Sequence, residues 1–445
     1  MTPSSQGFSA QGKALLATLL FSGIILSCSS QEPIKRYSLI VSNVTIIPMH
    51  KDTSIINVDV FVNKGRIEKI EKHQKSRKLG LLSDLVIDAS DQYLLPGLID
   101  CHAHYGDNKN LFGDYDSLYL KYGVTKVIAL NGTDNLLAHR ENIRNKTANG
   151  PDIFCSSPSV NDPSLTADQA NRLLKEYKMK GYDFIKIYNE LSKAGFDAFN
   201  KNSKGNDLRL IGHIPNIIGT FGVLHSNMEL VSHAEEFLYH SPVNYLMGEI
   251  TQPVKPDESY INLLADSVSK YRKFVSPTLI ALNSILCSAR NIKDYVSSVP
   301  LARNHPIAVY WKWSLSTSFI PEKFSTDNSI SRLQYANDYQ LKLVKAFNDA
   351  GVIILTGTDS PTIPGLVPGY SLHQEMQILS KAGLSNYDIL RSATFNAAQF
   401  LNISSEFGTI EAGKEASFIL LSKNPLIDIE NTLSIKKVFN CGEAF

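Results

Sequence analysis

From Leu98 onward the chain repeats one pattern, a short apolar run followed by a helix-like stretch. The runs are Leu98–His104, Val124–Leu130, Asp152–Ser156, Asp183–Tyr188, Leu208–His213, Glu229–His233, Lys273–Leu279 and Val352–Thr358. Segments such as Asp168–Lys180 and Tyr335–Ala350 lie between them. Connections of this length suit parallel strands joined by crossover helices. Eight such units are the number that closes a (β/α)8 TIM barrel, so the expected fold class is α/β. The residue 283–350 stretch between the last two runs is too long for one connection. It is a candidate for substrate recognition.

Two flanking regions read differently. Tyr37–Pro48 and Val58–Glu71 have strand character, and Asn63-Lys64-Gly65-Arg66 marks a hairpin turn. Leu85–Asp88 and Tyr93–Leu95 continue it, and β character returns at Phe418–Leu421 and Ile435–Phe439. The expectation is a small flanking β-sandwich domain built from residues 37–92 and 403–445, with the barrel over 93–402. Residues 1–27 carry Lys13 followed by the apolar run Ala14–Leu26, the pattern of an export signal and too short for a stop-transfer helix. Ile25-Leu26-Ser27-Cys28 resembles a bacterial lipobox, which implies cleavage before Cys28 and a lipid on it. A linker over 28–36 follows, and the expected location is the periplasm or cell envelope.

Charge excludes one class of partner. The chain has 44 basic and 43 acidic residues, and removing residues 1–27 takes away one lysine and leaves 43 of each. No basic cluster is interleaved with aromatics, so nucleic acid is not an expected partner. The membrane enters only through Cys28. The other cysteines, Cys101, Cys155, Cys287 and Cys441, show no CxxC spacing, and Cys101 reads as core. The sequence leaves the choice between a monomer and a homo-oligomer open.

Active sites of such barrels lie at the C-terminal ends of the strands. Run one ends in His102 and His104, which the two-residue period of a strand puts on one face. Run four places Lys186 inside an apolar stretch, runs five and six end in His213 and His233, and Asp359 follows run eight. Each has a plain alternative: a satisfied polar histidine, a helix-capping aspartate, an ion-paired lysine. Six such residues at strand ends together point instead to a metal site, since neutral imidazole and carboxylate are common ligands for zinc-like ions.

The order His-x-His, Lys, His, His, Asp resembles the metal-dependent amidohydrolase superfamily. Tyr93–His104 is similar to its entry motif, Leu355–Ser360 to its strand-eight motif, Ser392–Ala398 to its late helix and Gly408–Lys414 to the start of its closing β-domain. Ser417 departs from the aspartate common at its position. The branch resembled holds imidazolonepropionase-like enzymes and exported prolidase-like dipeptidases. The resemblance implies two divalent ions, zinc first among candidates. His102, His104 and Asp359 would hold one, His213 and His233 the other, with Lys186 bridging as a carbon dioxide-derived carbamate. It implies hydrolysis of a C–N bond by a metal-bridging hydroxide, with Asp359 as proton shuttle. A dipeptide or N-acyl amino acid is the expected small-molecule substrate. A single-metal deaminase is the first rival, a non-catalytic surface binding protein the second.

Overall fold

In the computed structural model the described residues are 35–241 and 257–445, and Arg36–Phe445 folds as one unit. The expected export signal, Cys28 and nearly all of the linker lie outside the described residues.

The first part of the chain is strand. Leu39–Ile46 (β1), Ile55–Asn63 (β2), Arg66–Lys72 (β3), Val86–Asp88 (β4) and Tyr93–Pro96 (β5) are followed by Leu98–Ala103 (β6) after one glycine. β2 and β3 pair antiparallel to the register Asn63↔Arg66, and Lys64 and Gly65 both take positive φ (47° and 72°). Two left-handed central residues are what a tight hairpin matched to strand twist requires. β1 pairs β2 antiparallel and β4 and β5 parallel.

Next come Val124–Ala129 (β7), Asp152–Cys155 (β8), Phe184–Ile187 (β9), Arg209–Gly212 (β10), Met228–Ser232 (β11), Phe274–Ser276 (β12) and Ile353–Ile354 (β13). They form two parallel sheets, β6-β7-β8 and β9-β10-β11-β12-β13. Both edges of the two sheets touch. Ser156 bridges to Phe184 and Val160 to Ile187 on one side, and Ala103 bridges to Ser360 on the other, all parallel. Every residue of β6, β7 and β9 is buried, as expected of strands covered on both faces. Ile99, Cys101, Ile128, Phe184, Ile211, Leu230 and Leu355 from both sheets pack in one cluster. Burial drives the Cys101 thiol well above its ordinary range, so it is inert core.

The helices between strands are cut by local signals. Ala167–Lys180 starts at Thr166, whose capping box with Gln169 satisfies the free N–H groups, and stops at left-handed Gly181. Residues 279–351 are mostly helical, including Leu279–Ser298 and Asp327–Asp349. No described helix is long and apolar enough to cross a membrane.

Phe418–Leu421 (β14), Ile435–Asn440 (β15) and Glu443–Ala444 (β16) complete the first sheet in the order β16-β15-β14-β5-β1-β2-β3. β5 pairs β14 along its whole length, so the sheet takes in Tyr93–Pro96, beyond the expected division at residue 92. The hairpin end of β3 curls round to the segment before β14, with Ala416 N–H donating to the Gly65 carbonyl (2.8 Å). The curl encloses a core of Val41, Val60, Val62, Phe418 and Phe439.

Gly65 sits at that closure, where an added Cβ would lie 2.7 Å from the Cys441 carbonyl oxygen. Gly65→Val is expected to cost about 1–3 kcal/mol in backbone strain alone and to lower the thermal unfolding midpoint. An unchanged midpoint would show that the closure tolerates rearrangement.

Candidate metal centre

The chain lifts its polar side chains out of strand ends by small breaks in regularity. His102 belongs to β6, and a register shift against β7 falls between Asp100 and Ala103. His213 follows Gly212, whose missing Cβ leaves room for the Ile187 carbonyl oxygen at 2.3 Å. His233 (φ 66°) and Asp359 (φ 62°) both take the left-handed conformation just beyond their strands. Such backbone costs about 1–3 kcal/mol per residue. It also aims a side chain that a regular strand would point elsewhere.

The six residues come together. Asp359 Oδ1 lies 2.9 Å from His104 Nε2 and 3.2 Å from His102 Nε2. These three residues offer ligand atoms within 4.8 Å of one another, the one group among the described residues with metal-holding geometry of that kind. The His102 and His233 rings are 4.4 Å apart, and His233 and His213 4.7 Å. Asp359 makes no helix cap. Its other oxygen accepts from Thr362 Oγ1 (2.9 Å).

Burial sets the protonation. It pushes the His102, His213 and His233 imidazoles well below their ordinary range, helped by the nearby Lys186 charge, so each ring is neutral and keeps a lone pair. Burial opposes ionisation of Asp359, but the His102 and His104 contacts outweigh it and hold the carboxyl well below the usual carboxylate range. Lys186 is 1% exposed, and its Nζ has no partner. Burial brings it down to about 8 against the pull of Asp359 and Glu236. His102 Nδ1 also lacks a hydrogen-bond partner. Buried polar atoms are ordinarily satisfied. Neutral imidazoles, an ionised carboxylate and an unpartnered amine therefore fit a divalent ion as the missing partner.

Sequence reading missed the residues that orient these groups. Glu236 Oε1 accepts from His213 Nδ1 (2.6 Å), while Asn189 and the Ile214 N–H donate to the same carboxylate. Thr278 donates its hydroxyl to the Pro277 carbonyl (2.8 Å), so it accepts from His233 Nδ1 (2.6 Å). In both rings Nδ1 carries the proton and Nε2 is left for a metal, the tautomer that carboxylate or hydroxyl partners impose. Thr278 is itself fixed, since Glu375 accepts from the Leu279 and Ile280 N–H groups at the start of the helix Leu279–Ser298. Asp100 accepts from Thr358 Oγ1 (2.7 Å) and the His102 N–H (3.1 Å), tying the two strand ends together. Only Asp100 had a visible signal, its place two residues before His102.

The site opens into a cavity of about 520 Å³ lined also by Tyr188, Asn189, Glu235, Tyr239, Trp311 and Phe319. Trp311 and Phe319 come from the long insertion, which is pinned by Trp311 Nε1 to Tyr115 Oη (2.9 Å) and Trp313 Nε1 to the Pro361 carbonyl (3.0 Å). Two further histidines stand apart from the six. His373 is spent on Thr432 and the Tyr122 carbonyl, and His240 does not line the cavity.

Residues 315–444 match the amidohydrolase family model. An adenine deaminase of Clostridium perfringens is 26% identical over 207 residues, 41% of this chain and 34% of that protein. The chain thus spans about a third of the adenine deaminases it matches. An imidazolonepropionase of Pseudomonas savastanoi is 22% identical over 76% of this chain and 80% of its own. Among solved structures, an Xaa-Pro dipeptidase with methionine in its active site superposes with TM-score 0.69 at 16% identity, covering 92% of this chain and 99% of its own. An A. niger ochratoxinase gives 0.65 at 16% identity over 92% of this chain and 96% of its own.

Glu236→Leu is expected to weaken metal binding about 10- to 100-fold, read by competition against a chromogenic chelator. Undiminished affinity would remove Glu236 from the ligand-orienting role.

Proposed function

The chain belongs to the amidohydrolase superfamily, and from that premise we propose that it is a metal-dependent hydrolase of C–N bonds in a small molecule. The observation that carries the reading is the convergence of His102, His104 and Asp359 at one point, with Lys186, His213 and His233 beside them. The eight parallel strands then read as a closed (β/α)8 barrel, which the bridges at both sheet edges support.

In this reading His102, His104 and Asp359 hold one divalent ion and His213 and His233 a second, with zinc the metal proposed. Bound there, such ions lower the pKa of water toward neutrality and polarise a carbonyl. Asp359 takes up the proton of the attacking water on a carboxylate oxygen and delivers it to the leaving nitrogen. The walls of the cavity exclude bulk water and orient the amide, and the products are a carboxylate and an amine. Lys186 is proposed to add through its neutral Nζ to carbon dioxide, losing a proton and becoming an anionic oxygen ligand. Its buried, unpartnered amine supports this, because a free ammonium beside two dications would be strongly repelled.

Dipeptides and N-acyl amino acids are the starting substrate classes. The match to adenine deaminase supports a second reading, a one-metal deaminase, which ammonia release from aminated heterocycles would establish. Chelation is expected to abolish hydrolysis and added zinc to restore it, and activity surviving thorough chelation would overturn the mechanism. Asp359→Asn is expected to lower turnover about 10²- to 10⁴-fold, with circular dichroism retained. Carbamylation is expected to grow as pH rises through about 8, where Lys186 loses its proton. Labelled bicarbonate followed by carbon NMR reads it, and no signal above pH 8 would leave Lys186 a free amine.

A further inference from the structure

The lining of the cavity beyond the six has an unusual charge pattern. Glu235 follows His233 by two residues, lines the cavity, and its Oε2 is fully buried with no hydrogen-bond partner. Its neighbour Glu236 is spent on His213, Ile214 and Asn189, so the two acids have different jobs. Two amides that line the same cavity are held elsewhere through their carbonyl oxygens. Asn131 accepts from the Ser159 N–H and Asn161 from the Glu190 N–H. A buried acid oxygen left unpaired costs about 1–3 kcal/mol, so a partner arriving with a ligand is the economical explanation.

The rest of the wall indicates the sign of that partner. Tyr188, Tyr239, Trp311 and Phe319 supply four aromatic rings, and ring faces attract cations. Among the described residues lining the cavity no arginine occurs, and Lys186, already placed at the metals, is the sole lysine. Among the described residues a substrate carboxylate therefore finds no side-chain cation there, whereas an ammonium finds both an acidic side chain and aromatic faces.

We propose that Glu235 is the subsite for a protonated amine, and that the substrates are amides of amino acids with a free α-ammonium and no carboxylate on the leaving side. This rests on the C–N hydrolase reading above and narrows it, setting N-acyl amino acids aside. Water adds to the amide carbonyl, the C–N bond breaks, and the proton carried by Asp359 leaves with the amine. Glu235 takes no part in bond making and acts only by pairing with the ammonium.

The test uses the zinc-loaded chain and three substrate series: aminoacyl anilides, their N-acetylated counterparts with the same scissile amide, and N-acyl amino acids, whose leaving amine carries a carboxylate. Aminoacyl anilides are expected to have the highest kcat/KM, with at least a tenfold preference over the acetylated series. Glu235→Gln is expected to collapse that ratio toward one by raising KM for the cationic series, and Glu235→Asp to restore part of it. Zinc content is measured alongside. Preference for N-acyl amino acids, an unchanged ratio in Glu235→Gln, or loss of zinc from that variant would each overturn the proposal. Failure of all three series would instead count against the hydrolase reading itself. In that case binding of a free amino-acid amide to zinc-loaded protein, read by calorimetry with and without Glu235→Gln, still decides the subsite.

Discussion

The contact on which the rest depends is the carboxylate of Asp359 held between His102 and His104. It is not an isolated ion pair. The Asp359 N–H donates to the His102 carbonyl (2.7 Å), and the His104 N–H donates to the Ser360 carbonyl (2.8 Å). The bonds that join the last parallel strand to the first are thus the bonds that set the ligand positions. A strand of two regular residues, Ile353–Ile354, suffices at β13 because the following residues are fixed by these contacts rather than by a long ladder. Gly357 shows how close the approach is, since a Cβ there would lie 2.7 Å from His102 Cβ.

Holding this arrangement costs stability. His102, Lys186 and Glu235 each carry buried polar atoms without partners, and His233 and Asp359 hold strained backbone. Native folds tolerate such costs where surrounding structure over-determines the geometry. Here the cluster of Ile99, Cys101, Ile211, Leu230 and Leu355 below the site and the covering helices provide that excess. Anything that binds the folded site but not the unfolded chain returns part of the cost as stability.

Much of this was legible in the sequence because it is periodic. Continuous apolar runs announce strands buried on both faces, and a histidine or aspartate at the end of such a run stands out against its neighbours. The residues that orient the ligands are not periodic. Glu235-Glu236 reads as a solvated acidic pair, and only folding shows that Glu236 reaches back to His213 while Glu235 does not. Thr278 reads as an ordinary residue after Pro277, although its left-handed φ of 46° and its bond to His233 make it part of the centre. The docking of the insertion through Trp311 and Trp313 has no local signal either, since both partners lie far away in the chain.

The link from His233 through Thr278 to the helix Leu279–Ser298, and from there to Glu375, has a consequence for how this protein can diverge. That helix opens the insertion which carries Trp311 and Phe319 to the cavity. Recognition and metal affinity are therefore mounted in series on one helix. An insertion transplanted from a relative would bring new walls and a new anchor for His233 together. A joint placed after Ile280 keeps the two apart, because Thr278 and the N–H groups that Glu375 accepts from then stay with the barrel.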